Sequence, residues 1–98
     1  MTVATNNKKP LFSLGQIVST PGVLSALERN QQTPAEFIGR HLRGDWGELC
    51  DEDKQANTEA LDQGLRLLSA YRLHDGERIW VITEADRSST CCLIPSEY

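Results

Sequence analysis

Two histidines set the limits on acid–base chemistry in this chain of 98 residues. His41 lies four residues before Asp45, so a helix end would bring an imidazole near a carboxylate, whereas His74 falls at the predicted tip of a hairpin. General acid–base catalysis needs an imidazole beside the reacting group and a second group that orients it. One hypothesis is therefore a small RNase-like toxin centred on His41, with Arg43 and Arg87 binding phosphate. The alternative is that His41 and Asp45 cap the helix, and we expect a protein that is not an enzyme.

The same segment carries a small basic cluster. Two predicted helices joined by a polar turn have the outline of a helix-turn-helix, in which the second helix, residues 34–43, would present Arg40, His41 and Arg43 to phosphates or bases. The formal net charge of −4 opposes this interpretation, because phosphate neutralisation by Lys and Arg supplies most non-specific affinity for nucleic acids. Nucleic-acid binding is thus kept as an alternative, and nucleic acid is not the expected partner.

Two loops are richer in polar and aromatic groups than a connection requires. Residues 44–47 place an aspartate and a tryptophan between glycines, and residues 83–88 gather carboxylates, a guanidinium and hydroxyls at a strand end. In one interpretation Trp46 closes the core, Asp45 and Asp86 cap their own turns, and the arginine pairs with a nearby acid. In the other, Trp46 is an exposed aromatic residue of an interaction site, as at binding hot spots, and Arg87 binds a phosphate or carboxylate beside it. The candidate interaction residues are Asp45, Trp46, Glu84, Asp86, Arg87 and Ser88.

The three cysteines predict neither a disulfide framework nor a metal site. Cys91 and Cys92 are adjacent, so a regular strand would point them to opposite faces, and no Cys-x-x-Cys or His-x-x-x-His spacing accompanies them. An odd number of cysteines suits a reducing compartment. Residues 1–9 are polar and lack the apolar stretch of a signal peptide, and no apolar run approaches the ~20 residues of a membrane span. We therefore expect a cytoplasmic protein with no metal, no cofactor and no membrane contact.

Three helices are predicted in the first two thirds of the chain. Thr20-Pro21 begins the first, because threonine caps free amides and proline suits the first helical position. The sequence from Thr33 to Glu36 begins the second with a capping-box pattern. Asp51 caps the third, which is expected to run to about Gln63 and to end at Gly64.

Strands follow the helices. Apolar runs on both sides of Asp75-Gly76 predict a two-residue type I′ hairpin, with Tyr71 opposite Trp80 and Ala70 opposite Val81. A further apolar run before the C-terminus completes a three-stranded antiparallel meander.

The predicted fold is α+β in two layers: a short N-terminal extended segment, two or three short helices, then the three-stranded meander. Residues 1–10 are expected to be a disordered tail, and residues 11–98 a single α+β domain. The extended segment is expected to pack its apolar side chains on the core. A composition of 39% hydrophobic and 24% charged residues is that of a globular protein rather than of a disordered one.

Four segments resemble those of small uncharacterised plasmid-related proteins, which are carried on bacterial plasmids and integrating elements. The segments are Gly44-Asp45-Trp46-Gly47-Glu48-Leu49, Asp53-Lys54-Gln55-Ala56-Asn57, Leu67-Leu68-Ser69-Ala70-Tyr71 and Ile82-Thr83-Glu84-Ala85-Asp86-Arg87-Ser88. Such proteins are sometimes named as type I restriction subunits, a label that does not suit a chain without a methyltransferase or nuclease motif. The resemblance implies a bacterial mobile-element setting.

The interpretation that follows is a non-enzymatic protein-interaction module, an accessory protein of a mobile element that modulates a host or defence system. Its partner would be another protein, contacted through Trp46, the turn over residues 84–88 and any apolar sheet surface left uncovered. A homodimer fits the same expectation, because an exposed sheet edge can pair with a symmetry mate.

Overall fold

The computed structural model describes residues 10–98, in which three helices pack on one face of a four-stranded sheet. The elements in chain order are β1 (Gln16–Ser19), α1 (Pro21–Arg29), α2 (Pro34–Leu42), α3 (Asp51–Gln63), β2 (Leu67–Arg72), β3 (Arg78–Thr83), β4 (Ser89–Leu93) and a 3₁₀ turn (Pro95–Glu97). The strand order is β1-β4-β3-β2, with β1 parallel to β4 and the other two pairings antiparallel. The α+β class is confirmed. The predicted three-stranded antiparallel meander is present as β2-β3-β4. The prediction of a sheet limited to these strands is wrong, because the N-terminal segment joins it as a fourth strand, parallel to β4. The tail predicted over residues 1–10 lies, apart from Pro10, outside the described residues.

Local capping chemistry sets the start of α1 and the end of α3. The hydroxyl of Thr20 accepts a hydrogen bond from the N–H of Val23 at 3.3 Å, and α1 begins at the next residue, as predicted. The predicted cap of α3 at Asp51 is wrong by one residue, since Asp51 is the first residue of the helix and the cap position is Cys50, whose side chain makes no cap hydrogen bond. As predicted, α3 ends before Gly64, whose φ of 67° stops a helix at little steric penalty. Within residues 10–98, none of the helices has the length and apolar character that a bilayer crossing needs.

The start of α2 departs from its predicted capping box. The side chain of Thr33 makes no cap hydrogen bond, and the carboxylate of Glu36 instead accepts one from the Gln32 amide nitrogen at 3.0 Å. The amide oxygen of Gln32 accepts the backbone N–H of His74 at 3.0 Å. The turn before α2 is therefore shaped by contact with the distant β2–β3 loop rather than by the helix alone.

The β2–β3 hairpin has a three-residue loop. The N–H of Gly76 donates to the carbonyl of Leu73 at 2.9 Å, and Gly76 has a φ of 94°, the geometry of a type I turn closed by a glycine bulge. The predicted two-residue turn and its cross-strand pairs are wrong, since Tyr71 lies opposite Ile79 rather than Trp80. A one-residue slip turns every side chain to the other face. Tyr71 and Ile79 pack with residues of α1 and α2, and Trp80 lies on the other face, beside Tyr98.

The core lies between the helices and the inner face of the sheet in two clusters. The larger cluster joins α1 and α2 to β2, β3 and β4, and the smaller one joins α3 to the loop before it and to the start of β2. Buried members of the larger cluster are Val23, Ala26, Leu27, Phe37, Ile38, Tyr71, Leu73, Ile79, Val81 and Cys92. The smaller cluster consists of Trp46, Ala60 and Leu67, with Phe12, Leu49 and Leu61 packed against it.

β1 lies at the sheet edge beside β4 because the chain approaches β4 closely at Gly15. This residue has a φ of 65°, and a Cβ there would collide with the backbone of Ser88. The N–H of Gln16 then donates to the Ser88 carbonyl at 3.0 Å and starts the parallel pairing. Ile17 and Val18 remain 53% and 44% exposed, so the expected packing of this segment on the core is wrong for both.

The outer face of the sheet is partly covered by the end of the chain. The ring of Tyr98 lies edge-on to that of Trp80 with their centroids 5.8 Å apart, and the Arg66 guanidinium lies 5.9 Å from the centroid of the Tyr98 ring. Ile82 and Leu93 on this face are 6% and 5% exposed. The uncovered apolar sheet surface expected from the sequence is therefore small on this face.

Candidate functional site

A chain of buried polar side chains crosses the interface between α2 and the sheet. His41 on α2 is fully buried; its Nδ1 lies 2.5 Å from the Ser69 hydroxyl oxygen and its Nε2 2.9 Å from that of Thr83. The Thr83 oxygen lies 2.7 Å from that of Thr90, and the Thr90 hydroxyl donates to the carbonyl of Leu14 at 2.8 Å. These hydrogen bonds tie the helix layer to β2, β3 and β4.

The Leu14 carbonyl, at the end of this series of hydrogen bonds, fixes the direction of each of them. A carbonyl oxygen only accepts, so the Thr90 proton points to Leu14 and the Thr83 hydroxyl donates to Thr90. Thr83 then accepts from Nε2–H of His41. The neutral imidazole therefore carries its proton on Nε2, and its Nδ1 accepts from the Ser69 hydroxyl.

Burial holds His41 in its neutral form. Removal from water disfavours the charged imidazole, and the positive charge of Arg87 acts in the same direction; together they lower the pKa of His41 to about 4. The rings of Phe12 and Trp46 stand edge-on to the imidazole with centroids 5.2 Å and 5.7 Å away. His41 thus sits between apolar rings on one side and hydroxyl groups on the other.

The distance between Ser69 and His41 is that of a nucleophile and its general base, but the solvent access and the orienting carboxylate of a catalytic site are missing. Both residues are 0% exposed, so a substrate atom cannot reach either group in this conformation. The ring nitrogen away from Ser69 bonds to Thr83, whereas catalytic histidines of this type are oriented by a carboxylate that stabilises the imidazolium. The predicted pairing of His41 with Asp45 is also absent, because the carboxylate of Asp45 binds Arg40. The geometry gives no support to an RNase centred on His41.

Asp45 and Trp46 hold the loop between α2 and α3 against the sheet. The carboxylate of Asp45 accepts from Arg40 Nε at 2.7 Å and from the N–H of Gly47 at 3.2 Å, and the Arg40 bond is the main cause that lowers the pKa of Asp45. The Tyr71 hydroxyl donates to the carbonyl of Asp45 at 2.6 Å. Trp46 is 7% exposed, within the smaller core cluster. It therefore offers a partner little surface.

Arg87 binds the end of α3 and its own turn rather than an acid. Its guanidinium donates to the carbonyls of Leu65 at 2.6 Å, Ala60 at 3.2 Å and Glu84 at 3.1 Å. The Ala60 carbonyl also accepts the N–H of Leu65 at 3.1 Å, and the negative end of the α3 dipole favours a guanidinium at this position. Arg87 itself has a φ of 61°, in the left-handed region that residues other than glycine seldom adopt. The predicted pairing with an acid does not occur.

The rest of the turn over residues 84–88 is exposed. The carboxylate of Asp86 accepts from the N–H of Ser88 at 3.0 Å, and hydrogen bonds from the Ser88 hydroxyl and N–H lower the pKa of Asp86. Glu84 forms an exposed ion pair with Arg66 at 3.7 Å. Asp86 and Ser88 are solvent-facing, but these polar atoms already bond within the turn.

The residues predicted for nucleic-acid binding do not share an exposed face. His41 is buried, and Arg40 is paired with Asp45 while its guanidinium lies 4.6 Å from the centroid of the Tyr71 ring. Arg43 is exposed and lies with Arg40, Gly44 and Asp45 around an open depression. The Asp45 carboxylate in its wall opposes phosphate binding there.

The three cysteines lie in different surroundings and do not form a common site. Cys50 is exposed, Cys91 half-buried and Cys92 buried, all as free thiols, and Cys92 is in the core while Cys91 is on the outer face of β4. Within residues 10–98, no group of three or more His, Cys, Asp or Glu side chains is placed to hold a metal ion.

No family model, curated protein or solved structure matches this chain. Its function has to be inferred from its own side chains and backbone. With the predicted site residues largely engaged in the fold, the main feature that the fold does not account for is the difference between the two edges of the sheet.

The β2 edge is covered over its centre. The N–H of Ala70 donates to the Trp46 carbonyl at 3.1 Å, and the Ala70 carbonyl accepts from the N–H of Glu48 at 2.7 Å. The side chain of Asn57 donates to the Leu68 carbonyl at 2.6 Å and accepts the Leu68 N–H at 3.2 Å. The outward backbone groups of two successive edge positions are thus satisfied from within the chain.

The β1 edge is uncovered in the part of the chain that the structure describes. The N–H of Gln16 points to β4, and backbone groups alternate in direction along a strand, so Ile17 and Ser19 direct their N–H and C=O groups away from the sheet. Across residues 10–98 no strand pairs with them. β1 contains no charged residue and no proline, which are two of the means by which natural sheets block an edge, and it has only its shortness of four residues to limit pairing.

Sequence analysis did not single out residues 16–19 as a site. A signal was present, because two adjacent β-branched apolar residues follow a glycine and lie between uncharged polar ones. The pattern indicates a strand, but it does not say whether that strand is central or at an edge.

Proposed function

We propose that this protein is a non-enzymatic protein-interaction module that adds an extended segment of its partner to the β1 edge. The observation that carries the proposal is the row of outward N–H and C=O groups at Ile17 and Ser19 on an uncharged strand. Addition of a strand to a sheet edge gives affinity through main-chain hydrogen bonds, and side chains on the two faces give selectivity.

The exposure of β1 side chains supports this role. Ile17 is 53% exposed and Val18 is 44% exposed, and because they are neighbours on a strand they lie on opposite faces of the sheet. An added strand would therefore find an apolar contact on each face. The 53% exposure of Ile17 also means that the helix layer leaves the inner side of this edge accessible.

The contrast between the edges supports it further. The chain closes the β2 edge with the loop before α3 and with Asn57, which is 5% exposed and bonds to both backbone groups of Leu68. An unblocked edge is an aggregation risk that proteins normally remove. A partner that occupies β1 explains why this edge alone is left without such protection among the described residues.

The resemblance to plasmid-related proteins supports a setting for the module, as an accessory protein of a bacterial mobile element that modulates a host or defence system. Its cytoplasmic location is part of the same proposal. The alternatives have less support. His41 is buried and Arg40 is paired with an acid, which opposes both the RNase and the nucleic-acid interpretations.

Site-specific photo-crosslinking tests the proposal. p-Benzoylphenylalanine is introduced in place of Ile17, or in place of Leu65 as a control of similar exposure, 50%, which lies just before β2 at the opposite edge of the sheet. In cells that produce the chain, we expect discrete crosslinked species from position 17 and none of these from position 65. Adding Ser19→Pro, which removes an outward N–H but none that faces β4, should abolish them. Identical crosslinks from both positions, or none from position 17, would refute the proposed function.

A further inference from the structure

We infer that the segment completing the β1 edge is β1 of a second copy of this chain, so that the module is a weak dimer with two-fold symmetry. This inference rests on the proposed function, because it names the partner of the same edge. It follows from the register that the chain permits, from its side chains and from the placement of its charges.

The backbone selects one register for such a pairing. Two antiparallel β1 strands related by a two-fold axis can centre on Ile17, Val18 or Ser19. Centring on Val18 places Ile17 opposite Ser19 of the second copy at two equivalent positions, and every outward N–H and C=O finds a partner. Centring on Ile17 would require Gly15 to pair, but its φ of 65° is not extended. Centring on Ser19 would require Pro21, which has no N–H and begins α1.

This register brings matching side chains together. Val18 meets Val18 of the second copy at a position without hydrogen bonds, where facing Cα atoms lie about 4.5 Å apart. Cross-strand pairs of β-branched residues stabilise a sheet, and Val18 is 44% exposed in the single chain. On the opposite face, Ile17 would lose part of its 53% exposure beside the small side chain of Ser19 of the second copy.

The charge distribution permits self-association at β1. The first turn of α3 carries Asp51, Glu52 and Asp53, and α3 lies beside β2, at the far edge from β1. Joining two four-stranded sheets through β1 separates the two β2 strands by about seven strand spacings, or ~34 Å. This separation is several times the Debye length of about 8 Å at physiological salt. The acidic helices of two chains, each of net charge −4, therefore do not repel across the joint.

The size of the contact limits its strength. A strand of four residues supplies few main-chain hydrogen bonds and two apolar side chains per copy, well below the ~1,600 Å² of a standard stable interface. We expect a dissociation constant of about 10 to 500 µM, so that dimers form at high local concentration and exchange quickly.

Sedimentation equilibrium of the full chain from about 5 µM to 1 mM tests the inference. The wild type should show a monomer–dimer equilibrium. Val18→Lys and Val18→Glu should each weaken it at least about tenfold, because like charges would face each other across the axis. An equimolar mixture of the two variants should associate at least as tightly as the wild type, which damage to the fold would not allow. Leu65→Lys adds the same charge at a site of 50% exposure away from β1 and should leave association unchanged.

Each contrary outcome identifies what fails. A wild type that stays monomeric at ~1 mM refutes the dimer, and a dimer that is indifferent to Val18→Lys refutes this interface. A mixture of the Lys and Glu variants that stays monomeric refutes the register. If the chain is monomeric but position 17 crosslinks to a different protein, the proposed function stands and the second copy is excluded; if nothing crosslinks there, the proposed function fails as well.

Discussion

Mild acid should destabilise this protein through His41, and the variant His41→Gln should be largely spared that loss. Burial lowers the pKa of His41 to about 4 in the folded chain, whereas an unfolded chain restores it to about 6.5. Between these values the unfolded state binds a proton that the folded state excludes. The free energy of unfolding therefore falls as the pH falls through this interval.

The magnitude follows from the same two values. Above about pH 6.5 the imidazole is neutral in both states and its titration contributes nothing. Below that value each pH unit lowers the free energy of unfolding by about 1.4 kcal/mol, so a change from pH 7 to pH 5 removes about 2 kcal/mol. The carboxylates with lowered pKa, Asp45, Asp75, Asp86 and Glu97, stabilise the fold above their unfolded pKa values near 4 and lose that effect below them. They titrate largely outside this interval.

Urea unfolding at about pH 7, 6 and 5, followed by tryptophan fluorescence at low micromolar concentration, measures the effect. Gln at position 41 can donate to Thr83 but has no titrating group, so the variant should be less stable at pH 7 and depend less on pH, by about 2 kcal/mol over the interval. His74→Gln changes an exposed histidine and should keep the wild-type dependence. Parallel pH dependence of the wild type and His41→Gln would refute the assignment of a neutral, buried His41.

Three further sets of substitutions test the contacts that cover the β2 edge and hold the end of α3. Gly47 and Gly64 have φ of 78° and 67°, but an added Cβ collides with the β2 backbone at Gly47 and meets nothing at Gly64. Substitution by alanine should therefore lower the free energy of unfolding by about 1 kcal/mol at Gly64 and by more than about 2 kcal/mol at Gly47. Urea unfolding measures both values, and equal losses at the two positions would contradict this reasoning. Asn57→Leu leaves both backbone groups of Leu68 unpaired, so it should lower the free energy of unfolding by about 1–3 kcal/mol and accelerate amide exchange at Leu68. Unchanged exchange at Leu68 would argue against that contact. Arg87→Met should accelerate amide exchange in the last turn of α3, with Arg87→Lys between the two, whereas equal exchange in all three would show that the guanidinium does not hold the helix end.

The parts of the fold that were predicted from sequence are those fixed by local chemistry. Thr20 and Pro21 start α1, and Gly64 stops α3, through interactions within a few residues of the chain. The capping box of α2 was wrong because Gln32, buried against the β2–β3 loop, takes the carboxylate of Glu36 for itself. A distant contact decided that helix start, and no local pattern reports it.

In the β2–β3 hairpin, an ambiguity of one residue in the length of the loop changes the register of the whole strand pair. Asp75-Gly76 fits a two-residue turn and also the last two positions of a three-residue loop with a glycine bulge. The choice depends on whether Tyr71 or its neighbours face the helices, which is a property of the whole core. The slip placed Tyr71 and Trp80 on the same face of the sheet, whereas in the structure Tyr71 packs with the helices and Trp80 lies on the other face.

The polar network left a trace in the sequence that the correct register would have revealed. Ser69 alternates with Leu67 and Tyr71 along β2, so a polar residue occupies a core-facing position. Thr83 and Thr90 do the same at facing positions of β3 and β4. Hydroxyl groups at such positions need partners, since an unpaired buried polar group is destabilising. The parallel pairing of β1 left no such trace, because its partner β4 lies some seventy residues further along the chain.

The asymmetry of the sheet also explains why the residues that look most chemical are structural. Trp46 and Asn57 cover the β2 edge, and Arg87 holds the end of the helix beside it. A sheet with two open edges could add copies at both ends and grow without limit, whereas one open edge can form only a closed pair. Because the β2 edge is closed, pairing at an open β1 edge would stop at two copies. Under the proposed function, the loop that carries Trp46, the buried amide of Asn57 and the guanidinium of Arg87 close the β2 side, and the four-residue strand β1 is the edge that would bind.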